Sequence, residues 1–339
     1  PKAGIAVAAI DILHLHFGYA KAAQKYRDAG MPWTMAELRG QPLPPEKNAA
    51  PALVKLAMDP AVTKSLEFPK SVGLWSRKEA AAAAQELAPR NRLLDQLKPL
   101  ETLDCRWETD LDLGMDAVFP ELAGMKSLVK ALALRMELRS SRGDLKGSLD
   151  DLRLGLNLAG KASQGETLIH QLVCIAQRAI LFNQARRAAS YHVDDPKALE
   201  AFAAVMSSAK SRPRMAQGLR GEAYFGLSAL RNNTAFQLLR DLQGLNAIDG
   251  EEARPRRDPV TLVRDGDPRW WLNRSLAVPY LKAWAEAGEI IKAKGEGVEA
   301  VSEVGRLLQE KADKAKGLGS LFIEILFPVF SQSAEAVKK

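Results

Sequence analysis

The chain has 339 residues, of which 47% are hydrophobic and 6% aromatic, and it carries 48 basic against 41 acidic residues. This length allows a large buried core and one or two domains. Two cysteines cannot build a disulfide-stabilised scaffold, and the modest net charge of +7 disfavours a nucleic-acid-binding function. The abundance of Ala and Leu predicts helices throughout.

The first predicted helix covers residues 4–29 and ends at Gly30, a residue suited to a helix C-terminus. Residues 4–10 are apolar but fall short of the roughly 18 residues that a membrane span needs. Two interpretations stay open, the buried start of a helix or the tail of an upstream signal or anchor segment. The second would make the protein periplasmic or membrane-anchored, whereas the first is compatible with the cytoplasm.

The rest of the N-terminal region, taken as residues 1–120, combines a Pro-rich connector at 31–47 with short helices. Thr34 is placed to cap one helical turn in the connector. Further helices are predicted at 49–58, 77–88 and 90–97. Ser76 and Glu79 have the spacing of a capping box, in which each side chain accepts a hydrogen bond from the other residue's backbone N–H.

A middle region, residues 121–242, contains three predicted helices over 128–141, 144–159 and 166–190, separated by short turns. Gly143 ends the first helix and Asp144 is placed as the N-cap of the second. On the second helix the leucines lie on an inward face, while Asp150, Asp151 and Arg153 are expected to face solvent.

The third helix of this region is expected to open with a capping box formed by Ser163 and Glu166. Its apolar face is wide, which predicts packing on two sides, as in a helical solenoid. We expect Leu172 and Ile175 to be buried together with Leu149 and Leu152 of the preceding helix.

A resemblance to the tetratricopeptide repeat lies at the turn between the first two of these helices. The matching residues are Gly143, Asp144, Leu145, Ser148, Leu149, Leu152, Gly155 and Leu156. Leu132 stands at the repeat's Trp position, Arg139 at its Tyr position, and the closing Pro is absent. The segment also resembles uncharacterised helical-repeat proteins of planctomycete-type bacteria. The resemblance implies an all-α fold of antiparallel helical hairpins in a tetratricopeptide-like, irregular solenoid or bundle.

The C-terminal region, residues 243–339, begins with the longest irregular stretch, 243–270, and continues with helices at about 278–294 and 298–316. A loop of this length is functional or mobile. Basic residues beside aromatic ones suit an anionic partner. The candidate binding residues are Arg254, Arg256, Arg257, Arg264, Arg269, Trp270 and Trp271. The alternative is a structural loop that the two tryptophans hold against the core.

Other chemical groupings fit no known catalytic pattern. Acidic residues cluster at 108–116 without the spacing of a calcium loop. His170 and Cys174 lie one helical turn apart, and a histidine at this spacing could activate a cysteine thiolate. The simpler interpretation is that both side chains are half-buried on the edge of a helix. We expect both cysteines, Cys105 and Cys174, to be free and buried. No metal or cofactor motif is present.

The sequence therefore predicts a non-enzymatic protein-interaction or scaffold module whose partner is another protein, because stacked helical hairpins form extended surfaces. Two alternatives remain at this point. One is a protein that binds a lipid or another apolar ligand between its helices, and the other is an enzyme whose site is scattered over loops.

Overall fold

The computed structural model describes residues 2–69, 73–208, 212–232, 268–295 and 297–314. These residues form an all-α structure without a β-strand, which confirms the all-α part of the predicted fold class. The α-helices are α1 (Lys2–Asp28), α2 (Met35–Arg39), α3 (Ala50–Ala57), α4 (Pro60–Thr63), α5 (Arg77–Leu87), α6 (Asn91–Asp95), α7 (Glu121–Ser141), α8 (Leu145–Ala162), α9 (Leu168–Ser190), α10 (Pro196–Ser208), α11 (Met215–Arg231), α12 (Pro268–Lys294) and α13 (Val298–Lys314). Short 3₁₀ helices lie at Pro45–Lys47, Lys98–Leu100 and Leu111–Asp116.

The chain divides into two compact units, each assembled from separated stretches of sequence. The first unit contains Pro1–Gln41, Thr109–Val118 and Met215–Lys339, and the second contains Pro42–Glu108 and Phe119–Arg214. The sequence regions 1–120 and 121–242 therefore each contribute residues to both units.

Helix α7 is the central element of the second unit, where it packs against α3, α4, α5, α8 and α9. Most of its residues are buried, including Leu128, Leu132 and Met136. An α-helix that is covered on nearly every side shows no clear amphipathic stripe, and this one mixes leucines with buried polar residues such as Arg135 and Glu137. Leu149 and Leu152 of α8 belong to the same core, as predicted.

The predicted helix caps and turns of the second unit are largely present. Gly143 has a φ of 78°, which only glycine adopts at little cost, and the Asp144 side chain accepts a hydrogen bond from the Gly147 N–H. The Ser76–Glu79 capping box forms as predicted, with the Ser76 N–H 2.7 Å from Glu79 Oε2. These caps and turns depend on residues that are close together in the chain, so the sequence alone predicts them.

The predicted start of α9 is wrong. The helix begins at Leu168, and Ser163 is instead the C-cap of α8, with its Oγ donating to the Gly160 carbonyl at 2.7 Å. The predicted buried face is also displaced, because Leu172 and Ile175 are only half-buried. The fully buried positions include His170, Gln171 and Gln177, so α9 turns a polar face inward.

The first unit is built around helix α12, which packs against α1, α11 and α13. Trp284 and Tyr280 of α12 are buried, and Tyr280 donates a hydrogen bond to the Ala223 carbonyl of α11 at 2.9 Å. Helix α1 ends where predicted, with Gly30 at a φ of 75°. Thr34 caps α2 by accepting from the Glu37 N–H, as predicted.

Most of the predicted loop 243–270 lies outside the described residues, which resume at Pro268. The last three residues of that segment are helical, because α12 begins at Pro268, ten residues before the predicted start near Val278. Proline is favoured in the first turn of a helix, since its fixed φ is already helical. The boundary predicted at 270 was therefore wrong.

Candidate functional site

The segment at residues 101–107 of the second unit lies along the last two turns of α8. Asn157 donates to the Glu101 carbonyl at 3.0 Å, and the indole N–H of Trp107 donates to the Lys161 carbonyl at 3.0 Å. The Lys161 ammonium group donates to the carbonyls of Leu103 and Glu101. These bonds leave the segment's backbone beside the helix, where it forms one wall of a groove.

Gln171 fixes the opposite side of this region. Its side-chain N–H₂ donates to the carbonyls of Ser163 and Gly165 at 3.0 and 2.9 Å, and its Oε1 accepts the Arg214 N–H at 2.7 Å. Gln171 is fully buried, so its three hydrogen bonds replace the water that it loses. The glutamine thereby positions the segment that carries Arg212 and Arg214.

The resulting groove, called the basic groove below, has a volume of about 720 Å³. Four basic and two acidic side chains line it: Arg153, Lys161, Arg212, Arg214, Glu101 and Asp104. Arg212 and Arg214 are exposed and make no ion pair with the described residues, whereas Arg153 is paired with Asp150 at 2.9 Å. Their guanidinium groups are available to an anionic ligand.

A cluster of buried polar side chains lies under the basic groove. Lys161, Glu121, Glu166 and His170 are each less than a tenth exposed. Burial lowers the pKa of Lys161 despite the nearby Cys105, Asp104 and Glu101. Burial also raises the pKa of Glu121. The Nδ1 of His170 lies 2.8 Å from Thr167 Oγ1. The Thr167–His170 contact lies at the start of α9, and the Lys161 hydrogen bonds join the end of α8 to residues 101 and 103.

Both cysteines are free and buried, as predicted. Burial raises the pKa of Cys174 to about 11 and also raises the pKa of Cys105. A catalytic thiol needs the opposite shift, because the thiolate is the nucleophile. The side chain of His170 packs against Phe119, with ring centroids 5.3 Å apart, and contacts Thr167. The geometry therefore gives no support to an activated Cys174 thiolate.

A second groove in the second unit, of about 520 Å³, has a balanced charge. Five basic and five acidic side chains line it, and the buried Asp151 carboxylate is its centre. Arg135 and Arg139 contact the two Asp151 oxygens at 2.7 and 3.0 Å, and Arg135 also reaches Asp95 at 2.8 Å. Because these charges satisfy one another, the groove has the character of a structural ion-pair network.

Two of the acidic residues at 108–116, Asp110 and Asp112, have structural partners in the first unit. Asp110 accepts a hydrogen bond from the Asp112 N–H at 2.9 Å. Asp112 receives Tyr224 Oη at its carboxylate, and its carbonyl accepts Ser228 Oγ at 3.0 Å. Across the described part of the chain, no group of three or more metal-ligating side chains comes together. Asp110 and Asp112 therefore anchor a 3₁₀ helix to α11.

The sequence-predicted site residues are only partly within the described chain. Arg254, Arg256, Arg257 and Arg264 lie outside it. Residues Arg269, Trp270 and Trp271 form the start of α12, and their side chains also lie outside the described part. Their predicted role in binding stays a prediction.

Sequence reasoning missed the basic groove altogether. Arg212 and Arg214 flank Pro213 just before a predicted helix, which is a signal for an exposed basic turn. No pattern in the sequence connects that turn to residues 101–104 or to Lys161, because they are 51 to 113 residues apart. The groove follows from tertiary packing alone.

No protein-family model, curated protein or solved structure matches the chain. Among the helices described, none combines the length and the apolar character that crossing a membrane requires.

Proposed function

We propose that the protein is a non-enzymatic interaction module that binds an acidic segment of a partner protein in the basic groove. The observation that carries the proposal is the pair of exposed arginines, Arg212 and Arg214, which line the groove and have no ion-pair partner in the described chain. An extended peptide rich in Asp and Glu complements these two exposed arginines, because arginine contacts carboxylates through two parallel hydrogen bonds.

The composition of the groove favours a protein partner over other ligand classes. No aromatic residue is among the described residues that line it, and single-stranded nucleic acids are usually held by stacking on aromatic rings. A lipid or apolar ligand requires a largely apolar lining, whereas this lining is mainly polar and charged.

We also propose that α7, α8 and α9 are antiparallel hairpins of a tetratricopeptide-like, irregular solenoid. Support comes from the three-residue turn at Arg142–Asp144, whose Asp144 N–H donates to the Arg139 carbonyl at 2.9 Å. Further support is the packing of α7 against both α8 and α9. Repeated hairpins form extended surfaces on which grooves of this kind accommodate a peptide.

A direct test is fluorescence anisotropy with a labelled peptide of Asp and Glu residues. We expect R212Q/R214Q to raise the Kd about tenfold with an unchanged melting temperature, because each lost charged contact is worth about 1.5–3 kcal/mol when fully formed and less at an exposed rim. The control is R92Q/R142Q, which removes the same charge from exposed arginines outside the groove. Equal weakening in both variants would show that only net charge matters and would refute the groove.

The arginines of the segment 243–270 carry a separate proposal. Arg254, Arg256 and Arg257 would contact an anionic partner, because the long flexible side chains of arginine can reach outward from a chain segment. The triple variant R254A/R256A/R257A tests this in the same assay. Weaker binding at an unchanged melting temperature supports the role, unchanged binding refutes it, and a large loss of stability would make the segment structural instead.

A further inference from the structure

Two arginines of the first unit lie over the same indole ring. The guanidinium carbons of Arg27 and Arg231 are 4.3 and 4.1 Å from the ring centroid of Trp33, a half-buried residue between α1 and α2. Arg231 also donates to the Trp33 carbonyl at 2.7 Å. The ring holds both planar groups in place by cation–π attraction, although the two like charges repel each other.

A groove of about 340 Å³ lies beside this stack, within the first unit. Arg27 at the end of α1 and Arg220 of α11 both line it, and so does Glu37. The Glu37 carboxylate is already engaged, because its Oε2 accepts the Trp33 N–H at 2.7 Å. The volume is within the range of small-ligand sites.

Guanidinium groups around this groove have unmet hydrogen-bonding capacity. The Nε of Arg220 and an Nη of Arg231 are buried, and neither finds an acceptor among the described residues. None of Arg27, Arg220 and Arg231 forms an ion pair within the described chain. Buried polar atoms are nearly always satisfied in native structures, and Arg27 and Arg220 both line the same groove without a carboxylate partner among the described residues. These conditions indicate an anion.

We propose that this groove binds a phosphate group between Arg27 and Arg220. A phosphate presents several acceptor oxygens and up to two negative charges, which matches guanidinium groups approaching from two different helices. A carboxylate has two oxygens and is satisfied by one arginine. Water could satisfy the orphan N–H groups but would leave the positive charge unbalanced. Trp33 prepares the site, because it fixes the Arg27 guanidinium before the ligand arrives.

Asp28 and the Lys292–Glu289 ion pair lie outside the described lining of the groove. Asp28 accepts a hydrogen bond from Gln24 at 2.8 Å, and its carbonyl accepts the Lys292 ammonium group. Lys292 itself is paired with Glu289 at 3.1 Å. Glu37 is the one carboxylate in the described lining of the groove. Binding should therefore weaken as salt concentration rises.

Isothermal titration calorimetry of the full chain in a phosphate-free buffer tests the proposal. Inorganic phosphate and phosphoserine are titrated separately, because binding of the first identifies a free-anion site and binding of only the second a phosphorylated ligand. Acetate at matched ionic strength is the comparison. We expect R27Q and R220Q each to raise the Kd for the bound phosphate compound at least about tenfold.

The control variant is K25Q, which removes one charge from an exposed position on the same helix without touching the groove. Its Kd should equal that of the wild type. Arg27 is exposed, so R27Q will fold even if R220Q does not, and a melting curve of each variant checks this. Failure of both phosphate compounds to bind, equal binding of acetate, or equal weakening by K25Q would overturn the proposal.

Discussion

Asp151 is a buried carboxylate that links two helices through two arginines. Arg135 and Arg139 of α7 contact it at 2.7 and 3.0 Å, and its side chain is 2% exposed. The neighbouring Asp150 pairs with Arg153 at 2.9 Å, but both of those side chains are about half exposed. Two adjacent acidic residues therefore have very different environments.

We predict that D151N lowers the free energy of unfolding by about 3–5 kcal/mol, because it removes the buried charged partner of Arg135 and leaves only the exposed Asp95. The matched variant D150N removes an exposed ion pair and should change stability by about 0.5 kcal/mol or less. Urea unfolding followed by circular dichroism measures both values. Similar effects of the two variants would contradict the assignment of Asp151 as the centre of the network.

The sequence predicted that Asp150, Asp151 and Arg153 would all face solvent, and it was wrong for Asp151 alone. A helical pattern assigns a charged residue to the outer face unless a partner is known. The partners of Asp151 are on α7, 12 and 16 residues earlier in the chain, and nothing local to Asp151 identifies them. Ion pairs between residues on different helices are therefore a part of the core that cannot be predicted from this sequence.

Helix α7 approaches α3 closely at Gly124. A Cβ atom added there would lie 2.6 Å from the Ala57 carbonyl carbon and even closer to its oxygen. Backbone atoms cannot rotate away as a flexible side chain can, so the two helices would have to separate. The close approach places the centre of α7 against the N-terminal helices of the second unit.

We predict that G124A destabilises the protein by about 1–3 kcal/mol, the usual cost of overpacking a core. The control is G18A in α1, where an added Cβ would meet no atom within 4 Å. Alanine is the better helix former there and should raise stability by up to about 1 kcal/mol. Chemical unfolding of both variants decides the matter, and a neutral G124A would contradict the close approach.

For the secondary-structure elements, the sequence predicted the helix caps better than it predicted which helix face is buried. The caps at Thr34, Ser76 and Asp144 formed as expected because each depends on residues within one turn. The face of α9 was wrong because Gln171 and Gln177 are buried while Leu172 is only half-buried. Gln171 is buried because it forms hydrogen bonds with Ser163, Gly165 and Arg214. These hydrogen bonds shape the basic groove, and the spacing of hydrophobic residues does not predict them.

Both units bury acidic hydroxyl or thiol groups whose protons are held more tightly in the folded state. Burial raises the pKa of Tyr26, Tyr224 and Tyr280 in the first unit above the ordinary value of 10.0. It raises the pKa of Cys105 and Cys174 in the second unit above the ordinary value of 9.0. Desolvation of the charged form is the largest cause in each case. The free energy of unfolding of each unit is therefore expected to fall at alkaline pH.

We predict that the free energy of unfolding falls as the pH rises above about 9. Between the unfolded and the raised folded pKa, the folded chain keeps a proton that the unfolded chain has released, so deprotonation favours unfolding. Each group contributes at most about 1.4 kcal/mol per pH unit. Lys161 acts in the opposite direction, because burial lowers its pKa below 10.5, but it is one group against five.

Denaturant unfolding at pH 8.0 and 10.5 (conditions chosen roughly to span the ordinary thiol and phenol pKa values) measures this dependence. The informative comparison is Y26F, which keeps the buried ring but removes a phenol that donates to the Pro32 carbonyl at 3.1 Å. Its stability should fall less steeply over the same interval, by up to about 1.4 kcal/mol per pH unit. A free energy of unfolding that stays constant or rises with pH in the wild type would show that these groups are not buried as protonated acids. An identical slope in Y26F would remove Tyr26 from the explanation.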